Sequence, residues 1–235
     1  MKKYVLYMLL LTLLSCQKEE ETTSKKVTLN AFHSLVLNEA FEVYLIEGNE
    51  YSLAMEGAES FIAKMEFQVS DSILTVDNTK GTKWTSPQNN VPKLWVSCPQ
   101  LKYVKANESC DIKTTNPITT YEFGIVLGSK ANTANLQFDN EVVYYWNDFP
   151  CGGKLTLSGK TKELKLWNTA IMSVDASALS AEKGFIENAS KGDCIVQVSD
   201  YLEYKIKGEG DIVVFGNPQQ IVEKGKENSG QLILN

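Results

Sequence analysis

Hydrophobic and polar residues alternate along most of this chain, and this period of two predicts β-strands that bury one face. The first third of the chain has four such segments, at residues 34–37, 41–46, 51–55 and 72–76. The Glu-Gly-Asn-Glu turn at residues 47–50 predicts a hairpin between the second and third segments. A short helix is expected at residues 58–65, so the N-terminal third is predicted to be a section of strands and hairpins.

From residue 101 onward the strand pattern recurs with a period of about twenty residues. The repeating units begin near Leu101, Glu122, Val142, Leu164, Gly184 and Leu202. The clearest copy, residues 202–218, reads LEYKIKGEGDIVVFGNP and contains a strand, a Gly-x-Gly turn and a second strand. This period predicts an all-β fold built as a parallel β-solenoid. An antiparallel β-sandwich explains the alternation as well, but it does not explain the period.

The ends of the units indicate how the coils are stacked. An apolar β-branched residue lies about ten positions after the start of several units, at Ile112, Val174, Ile195 and Ile212. Equivalent side chains are therefore expected to form ladders with a step of about 4.8 Å. Asparagine is frequent at the predicted corners, at Asn107, Asn132, Asn168 and Asn188, which predicts left-handed backbone in tight turns.

Several short motifs resemble one known family. They are the Gly-x-Gly-Asp-Ile of residues 208–212, the Gly-Asn-Pro of 216–218, the strand and turn of 41–48 and the Cys-Pro-Gln-Leu of 98–101. Together they are similar to the putative auto-transporter adhesin, head GIN domain family, over roughly residues 28–234. The family's repeated Ser-Gly-Ser-Gly-x-Ile is replaced here at residues 107–112 and 189–195. The resemblance implies a right-handed parallel β-helix in an exported protein, and it implies no catalytic residue.

The N-terminus has the features of a lipoprotein signal. Residues 1–15 combine Lys2 and Lys3 with an apolar run that is too short to span a bilayer. The Leu-Leu-Ser-Cys that ends this segment resembles a lipobox, which predicts a lipid anchor on Cys16. The polar residues 16–27 are expected to form a disordered tether, and residues 28–235 the β-solenoid head domain. Gln17 resembles the sorting residue of outer-membrane lipoproteins, and the acidic run after it indicates either surface export or a solvated charge run.

Charge excludes one class of partner. The formal net charge is −6, and all 23 basic residues are lysines. An acidic surface without arginine is unsuited to nucleic acid or phosphate groups, because arginine forms the bidentate contacts that these ligands usually require.

The residues with catalytic chemistry are sparse. His33 is the only histidine, so no histidine-based relay or zinc site is expected, nor any cofactor or metal. The widely spaced Cys98, Cys110, Cys151 and Cys194 favour buried free thiols, although disulfides are compatible with export. The acidic residues Asp139, Glu141 and Asp148 are either solvated or supply the acid and base, or the calcium ligands, of a polysaccharide lyase or hydrolase.

Aromatic residues give the strongest indication of a ligand surface. Trp146 and Trp167 are one period apart, with Tyr144 and Tyr145 beside the first of them. On the outer face these side chains form a platform for a glycan or a protein partner, whereas on the inner face they belong to the core. The sequence therefore predicts a non-catalytic binding or adhesion lipoprotein of the cell envelope, held by its lipid anchor in the outer membrane. The alternatives are an enzyme on the same scaffold and a module that forms homo-oligomers through its sheet faces.

Overall fold

The computed structural model of the protein describes residues 21–79, 91–147 and 150–235. The predicted signal peptide, Cys16 and Asp148 lie outside these residues. Within them one short helix, α1 (Glu59–Ile62), accompanies seventeen strands. The strands are β1 (Thr22–Thr28), β2 (Ser34–Leu37), β3 (Glu42–Ile46), β4 (Ser52–Ala58), β5 (Met65–Ser70), β6 (Ile73–Asn78), β7 (Lys93–Ser97), β8 (Tyr103–Ala106), β9 (Asp111–Thr114), β10 (Glu122–Leu127), β11 (Asn132–Asp139), β12 (Val142–Asn147), β13 (Gly152–Ser190), β14 (Cys194–Ile206), β15 (Ile212–Phe215), β16 (Gln220–Lys226) and β17 (Leu232–Leu234).

Most of these strands pair in parallel, coil upon coil, in two stacks. Stack A runs from β6 through β2, β8, β10 and β12 to residues 163–167 of β13. It continues through residues 183–188 of β13 and 201–206 of β14 to β16. Stack B contains the alternate strands, from β7, β3, β9 and β11 to β15 and β17. The predicted parallel β-solenoid is therefore confirmed, and the antiparallel sandwich is not the architecture.

Inward side chains stack in register and form the core between the stacks. In stack A one ladder consists of Leu74, Leu35, Val104, Ile125, Tyr145 and Leu166, and every member is completely buried. Full burial of a large aliphatic side chain stabilises a fold by roughly 1.5–3 kcal/mol. The core is thus a repeated layer whose stability comes from contacts between neighbouring coils.

The matching ladder in stack B corrects one detail of the predicted register. Val174, Cys194 and Ile212 are paired in successive coils and all point inward. Ile195, which was expected in this ladder, lies on the outer face and pairs with Val213. The small, apolar thiol of Cys194 fills the inner position that a β-branched residue was expected to occupy.

The order of the first coils along the solenoid differs from their order in the sequence. β6 and β7 lie outside β2 and β3, so that β7 is inserted between β3 and β4. The predicted hairpin between residues 41–46 and 51–55 is therefore wrong, because both edges of β3 bind parallel partners, β7 and β9. The antiparallel hairpin of this section is formed by β5 and β6 instead. Asp71 and Ser72 connect these strands with positive φ angles of 50° and 61°, as a type I′ turn requires.

Part of the predicted disordered tether is a strand, because residues 22–27 belong to β1. All seven residues of β1 pair antiparallel with β4, although most of their side chains are exposed. The polar sequence predicted no structure because it contains few residues that contribute to a core. Main-chain hydrogen bonds to the edge of β4 nevertheless order it, and the exposed Lys25 and Lys26 protect the new edge from further pairing.

The corner asparagines have a different role from the one predicted. The non-glycine residues with positive φ in the described chain are Asp71, Ser72 and Ala170, and no asparagine is among them. Asn168 and Asn188 are instead completely buried, and the Asn168 Nδ2 donates to the Asn188 Oδ1 over 3.1 Å. Inside the solenoid these amides satisfy main-chain groups at the corners of successive coils.

Asn188 is the centre of this network. Its Nδ2 donates to the carbonyl oxygens of Gly192 and Gly210 over 3.1 and 3.0 Å. Its Oδ1 also accepts the main-chain N–H of Ser190 over 3.2 Å. A single side chain therefore connects its own turn to the turn of the next coil.

We expect Asn188→Ala to lower the free energy of unfolding by about 3 kcal/mol, because it leaves several buried polar groups without a partner. Urea denaturation followed by circular dichroism measures this change. Asn217→Ala, at an exposed position, is the matched control and is expected to change stability by less than about 0.5 kcal/mol. Equal stabilities of the two variants would contradict the role assigned to the buried amide.

Candidate functional site

The outer face of stack A has a line of aromatic side chains that crosses the coils. We call it the aromatic strip, and it consists of Tyr103, Tyr144, Trp146, Trp167 and Phe185. Its members lie on β8, β12 and two separate segments of β13. With a step of about 4.8 Å between strands, the strip extends about 20 Å along the solenoid axis.

The first half of the strip is tightly packed. The rings of Tyr144 and Trp146 are stacked, with centroids 5.7 Å apart and planes inclined by 8°. The Trp146 ring also reaches back across β10 to Tyr103, at a centroid distance of 6.0 Å. Beneath it, Val126 points outward and is only 1 % exposed. This half of the strip is a continuous aromatic surface.

Gly124 makes this packing possible. It pairs with Tyr103 on one side and Tyr144 on the other. A Cβ atom at this position would lie 2.1 Å from the Tyr144 ring, so any other residue would displace that ring. Because Gly124 has no side chain, the Tyr144 ring on the neighbouring strand has room to pack there.

The second half of the strip is more open. Trp167 is the register partner of Trp146 and is 43 % exposed, which makes it the most accessible ring of the strip. On the same coil as Trp167, Lys165 places its Nζ 5.9 Å from the ring centroid of Phe185 on the next coil. Trp167 and Phe185 border a groove of about 400 Å³ that continues to Glu203 and Lys224.

Tyr145 does not belong to this surface, which corrects its assignment to the predicted platform. It is completely buried in the inner ladder, since adjacent residues of a strand point to opposite faces. Burial also raises the pKa of its hydroxyl. The structure therefore brings Tyr144, Trp146 and Trp167 together on the outside and places Tyr145 in the core.

Charged side chains surround the groove in pairs of opposite sign. The ion pairs are Lys165–Glu163 at 3.0 Å, Lys183–Glu163 at 4.0 Å, Lys207–Glu187 at 2.6 Å, Lys224–Glu203 at 3.2 Å and Lys205–Glu227 at 2.7 Å. The hydrogen bond from Lys205 lowers the pKa of Glu227, and the hydrogen bond to Glu187 raises the pKa of Lys207. Both pairs are therefore ionised at neutral pH.

The acidic residues considered for catalysis are engaged in similar pairs. Lys160 Nζ lies 3.2 Å from Asp139, and Lys162 Nζ lies 2.6 Å from Glu141. Each lysine comes from the following coil, and this contact is a surface ion pair. The third residue, Asp148, lies outside the described residues, and Asp139 and Glu141 give no indication of an acid–base pair.

Sequence reasoning missed two members of the strip and one further aromatic pair. Tyr103 and Phe185 were not singled out, although the twenty-residue period places both near equivalent positions of their units. On stack B, Tyr44 and Trp95 are stacked at 5.2 Å with planes inclined by 9°. Their association depends on the insertion of β7 beside β3, which no local pattern reveals.

The remaining candidate residue, His33, does not belong to a catalytic or metal site among the described residues. His33 is exposed, with its Nδ1 2.9 Å from the hydroxyl of Ser34. In residues 21–79, 91–147 and 150–235, no group of three or more His, Cys, Asp or Glu side chains is placed to hold a metal ion. Over the same ranges no helix has the length and hydrophobicity needed to cross a bilayer.

The four described cysteines are free and buried, as predicted. The Cys98 thiol donates to the carbonyl oxygen of Phe32 over 3.2 Å, and the Cys110 thiol to that of Glu39 over 3.4 Å. Burial raises the pKa of Cys110 and of Cys194 to about 12. These side chains fill the core and are poor nucleophiles.

With this geometry established, comparison with known proteins identifies the family. A sequence profile described as the putative auto-transporter adhesin, head GIN domain, matches residues 31–218. The chain belongs to this family. The resemblance seen in the short glycine motifs is thus confirmed across most of the chain.

Solved structures share the fold of this family member at low sequence identity. A putative adhesin from Bacteroides fragilis has a TM-score of 0.77 at 16 % identity, covering 92 % of this chain and 98 % of its own. A putative adhesin from Parabacteroides merdae has a TM-score of 0.59 at 17 % identity, covering 92 % and 97 %. A putative lipid binding protein from Parabacteroides distasonis has a TM-score of 0.61 at 13 % identity, covering 92 % and 98 %. Among curated proteins no match to this chain was found.

The buried thiols give a prediction for the native protein. With residues 1–20 removed, we expect no reaction of the four cysteines with a disulfide reagent at pH 8, because the raised pKa values and burial suppress the thiolate. Unfolding in denaturant without reductant should then release all four thiols. Spectrophotometric thiol titration measures both values.

A Ser199→Cys variant, at an exposed position, is the positive control and should react in the native state. Recovery of fewer than four thiols after unfolding would show a disulfide and contradict the structure.

Proposed function

We propose that this protein is a non-catalytic adhesion module of the cell envelope, held in the outer membrane by a lipid on Cys16 and displayed at the cell surface. The aromatic strip on stack A binds the partner, which is a glycan or another protein. The observation that carries the proposal is the exposure of Trp167 beside the stacked Tyr144 and Trp146. Large aromatic rings held rigidly at a surface provide contact area at low entropic cost.

The family supports a binding role. Its description names an adhesin head domain, and two of the similar structures carry the adhesin description. The residues give an independent argument, because Asp139 and Glu141 are each neutralised by a lysine. These carboxylates favour a surface role over acid–base catalysis, and no described residue supports the lyase or hydrolase alternative.

We expect Trp167→Ala to weaken partner binding at least about tenfold, because a buried aromatic contact at the centre of an interface contributes more than 1 kcal/mol. Trp146→Ala should weaken it as well, since it removes the ring that stacks on Tyr144. The measurement is binding of the purified protein to an array of glycans and extracellular proteins.

Phe215→Ala is the matched control, since Phe215 is 41 % exposed and lies at the end of β15 in stack B. Its binding should equal that of the wild type. If the Trp167 and Trp146 variants bind every partner as well as this control does, the strip is not the binding site and the proposed function fails.

The anchor has its own test. We expect Cys16→Ser to move the protein from the detergent phase to the aqueous phase in a phase-partition experiment, because each acyl methylene contributes roughly 0.8 kcal/mol to membrane binding. Metabolic labelling with a radioactive fatty acid should disappear in the same variant. A labelled Cys16→Ser protein, or one that stays in the detergent phase, would contradict the lipid anchor.

A further inference from the structure

The groove beside Trp167 crosses several neighbouring strands. It starts between Trp167 and Phe185 on β13, passes Glu203 and Lys205 on β14 and ends at Lys224 on β16. These residues belong to successive strands of stack A. A ligand that fills the groove therefore runs across the strands, along the solenoid axis.

The lining combines apolar and polar chemistry in the way that a sugar requires. The exposed ring of Trp167 offers a surface for the C–H face of a pyranose ring, and the half-buried Phe185, in contact with Lys165 and Tyr201, extends the apolar part of the lining. Lysine side chains can only donate hydrogen bonds, and glutamate side chains can only accept them. A hydroxyl group does both, so a row of sugar hydroxyls is able to satisfy Lys205 and Glu203 at the same time.

Charge distinguishes between classes of glycan. The five lysines around the groove are all paired with four glutamates, and the pairs are partly exposed. A carboxylated or sulfated sugar would have to compete with these glutamates for lysines that already have a partner, so its charge gains little. A neutral sugar adds no charge of its own, so it leaves these ion pairs intact.

The groove is less suited to a protein partner. Protein interfaces usually have a central apolar cluster from which charged residues are depleted. Here the exposed Trp167 is followed at once by the charged side chains Glu187, Glu203 and Lys205. The apolar area is therefore a narrow track and not a patch.

We propose that the aromatic strip and its groove bind a neutral, linear glycan that lies parallel to the solenoid axis, with one sugar on each coil. This inference rests on the proposed function and names its ligand class. Strands follow one another at about 4.8 Å, so a glycan whose sugars advance by a similar distance places one sugar on each coil. Each sugar then meets an equivalent position of the next coil.

Isothermal titration of the full-length protein, kept in a detergent without sugar groups, tests the proposal. The probes are gluco-, manno- and N-acetylglucosamine oligosaccharides from mono- to hexasaccharide, with oligogalacturonates as the anionic series. For at least one neutral series we expect affinity to rise by at least about tenfold from the monosaccharide to the hexasaccharide, because successive sugars contact successive coils. Affinity should be the same at low and high salt, since no net charge is neutralised.

Trp167→Ala should lose at least about tenfold in affinity for the longer neutral oligosaccharides, whereas Phe215→Ala should bind like the wild type. Equal affinity for all chain lengths would overturn the axial arrangement. Tighter, salt-sensitive binding of oligogalacturonates would overturn the neutral specificity.

The failure of this inference is distinguishable from the failure of the proposed function. If none of the neutral oligosaccharides binds, the inference is overturned. In that case a protein or an acidic glycan on the array, whose binding is lost in Trp167→Ala, would leave the adhesion module intact. If no partner on the array depends on Trp146 or Trp167, both proposals fail.

Discussion

The in-register stacking of inward side chains is the constraint on which the rest of this structure depends. Each coil is too small to bury its own apolar face, so it must align with the coils on either side. A slip of one residue would exchange the two faces of a strand, because side chains alternate with a period of two. In β12 it would bring Trp146 into the core and expose Tyr145. The inner ladder thus determines the outer surface, and the aromatic strip is a direct consequence of core packing.

The same alignment explains the special residues around the strip. Stacked coils bring equivalent outer positions to about 4.8 Å, a distance at which two large neighbouring rings compete for space. Gly124 resolves this competition by leaving its position empty for the Tyr144 ring. At the corners, where main-chain groups are turned inward, Asn168 and Asn188 supply the hydrogen bonds that the strands no longer provide. The shape of the outer surface and the hydrogen bonding at the corners therefore both depend on single residues of individual coils.

Much of the fold was predictable because its signals are local or periodic. The alternation predicted the strands, and the twenty-residue period predicted the solenoid. Both features recur often enough to be recognised in a single sequence. The strand partners at the N-terminal end were not predictable, because the alternation in β3 and β4 is the same whether they pair with each other or with β7. Pairing of β1 was missed because main-chain hydrogen bonds leave no trace in side-chain composition.

The candidate site was predictable in part for the same reason. One period connects Trp146 to Trp167, so their proximity follows from the sequence once the period is known. The alternation within β12 also required that Tyr144 and Tyr145 point to opposite faces, but it did not say which face was inside. Burial of Tyr145 against Ile125 and Leu166 decides that question, and it depends on the register of the whole ladder.

In-register stacking also accounts for the charges of the surface. A parallel solenoid that repeated one charged residue at equivalent positions would place like charges about 4.8 Å apart, which is destabilising. At several positions this chain places lysine and an acid on neighbouring coils instead, as in Asp139 with Lys160 and Glu187 with Lys207. Each of these acids has a lysine of the next coil as its partner. Beside Trp167 the opposite charges are nearly balanced in the same way, although the protein as a whole is acidic.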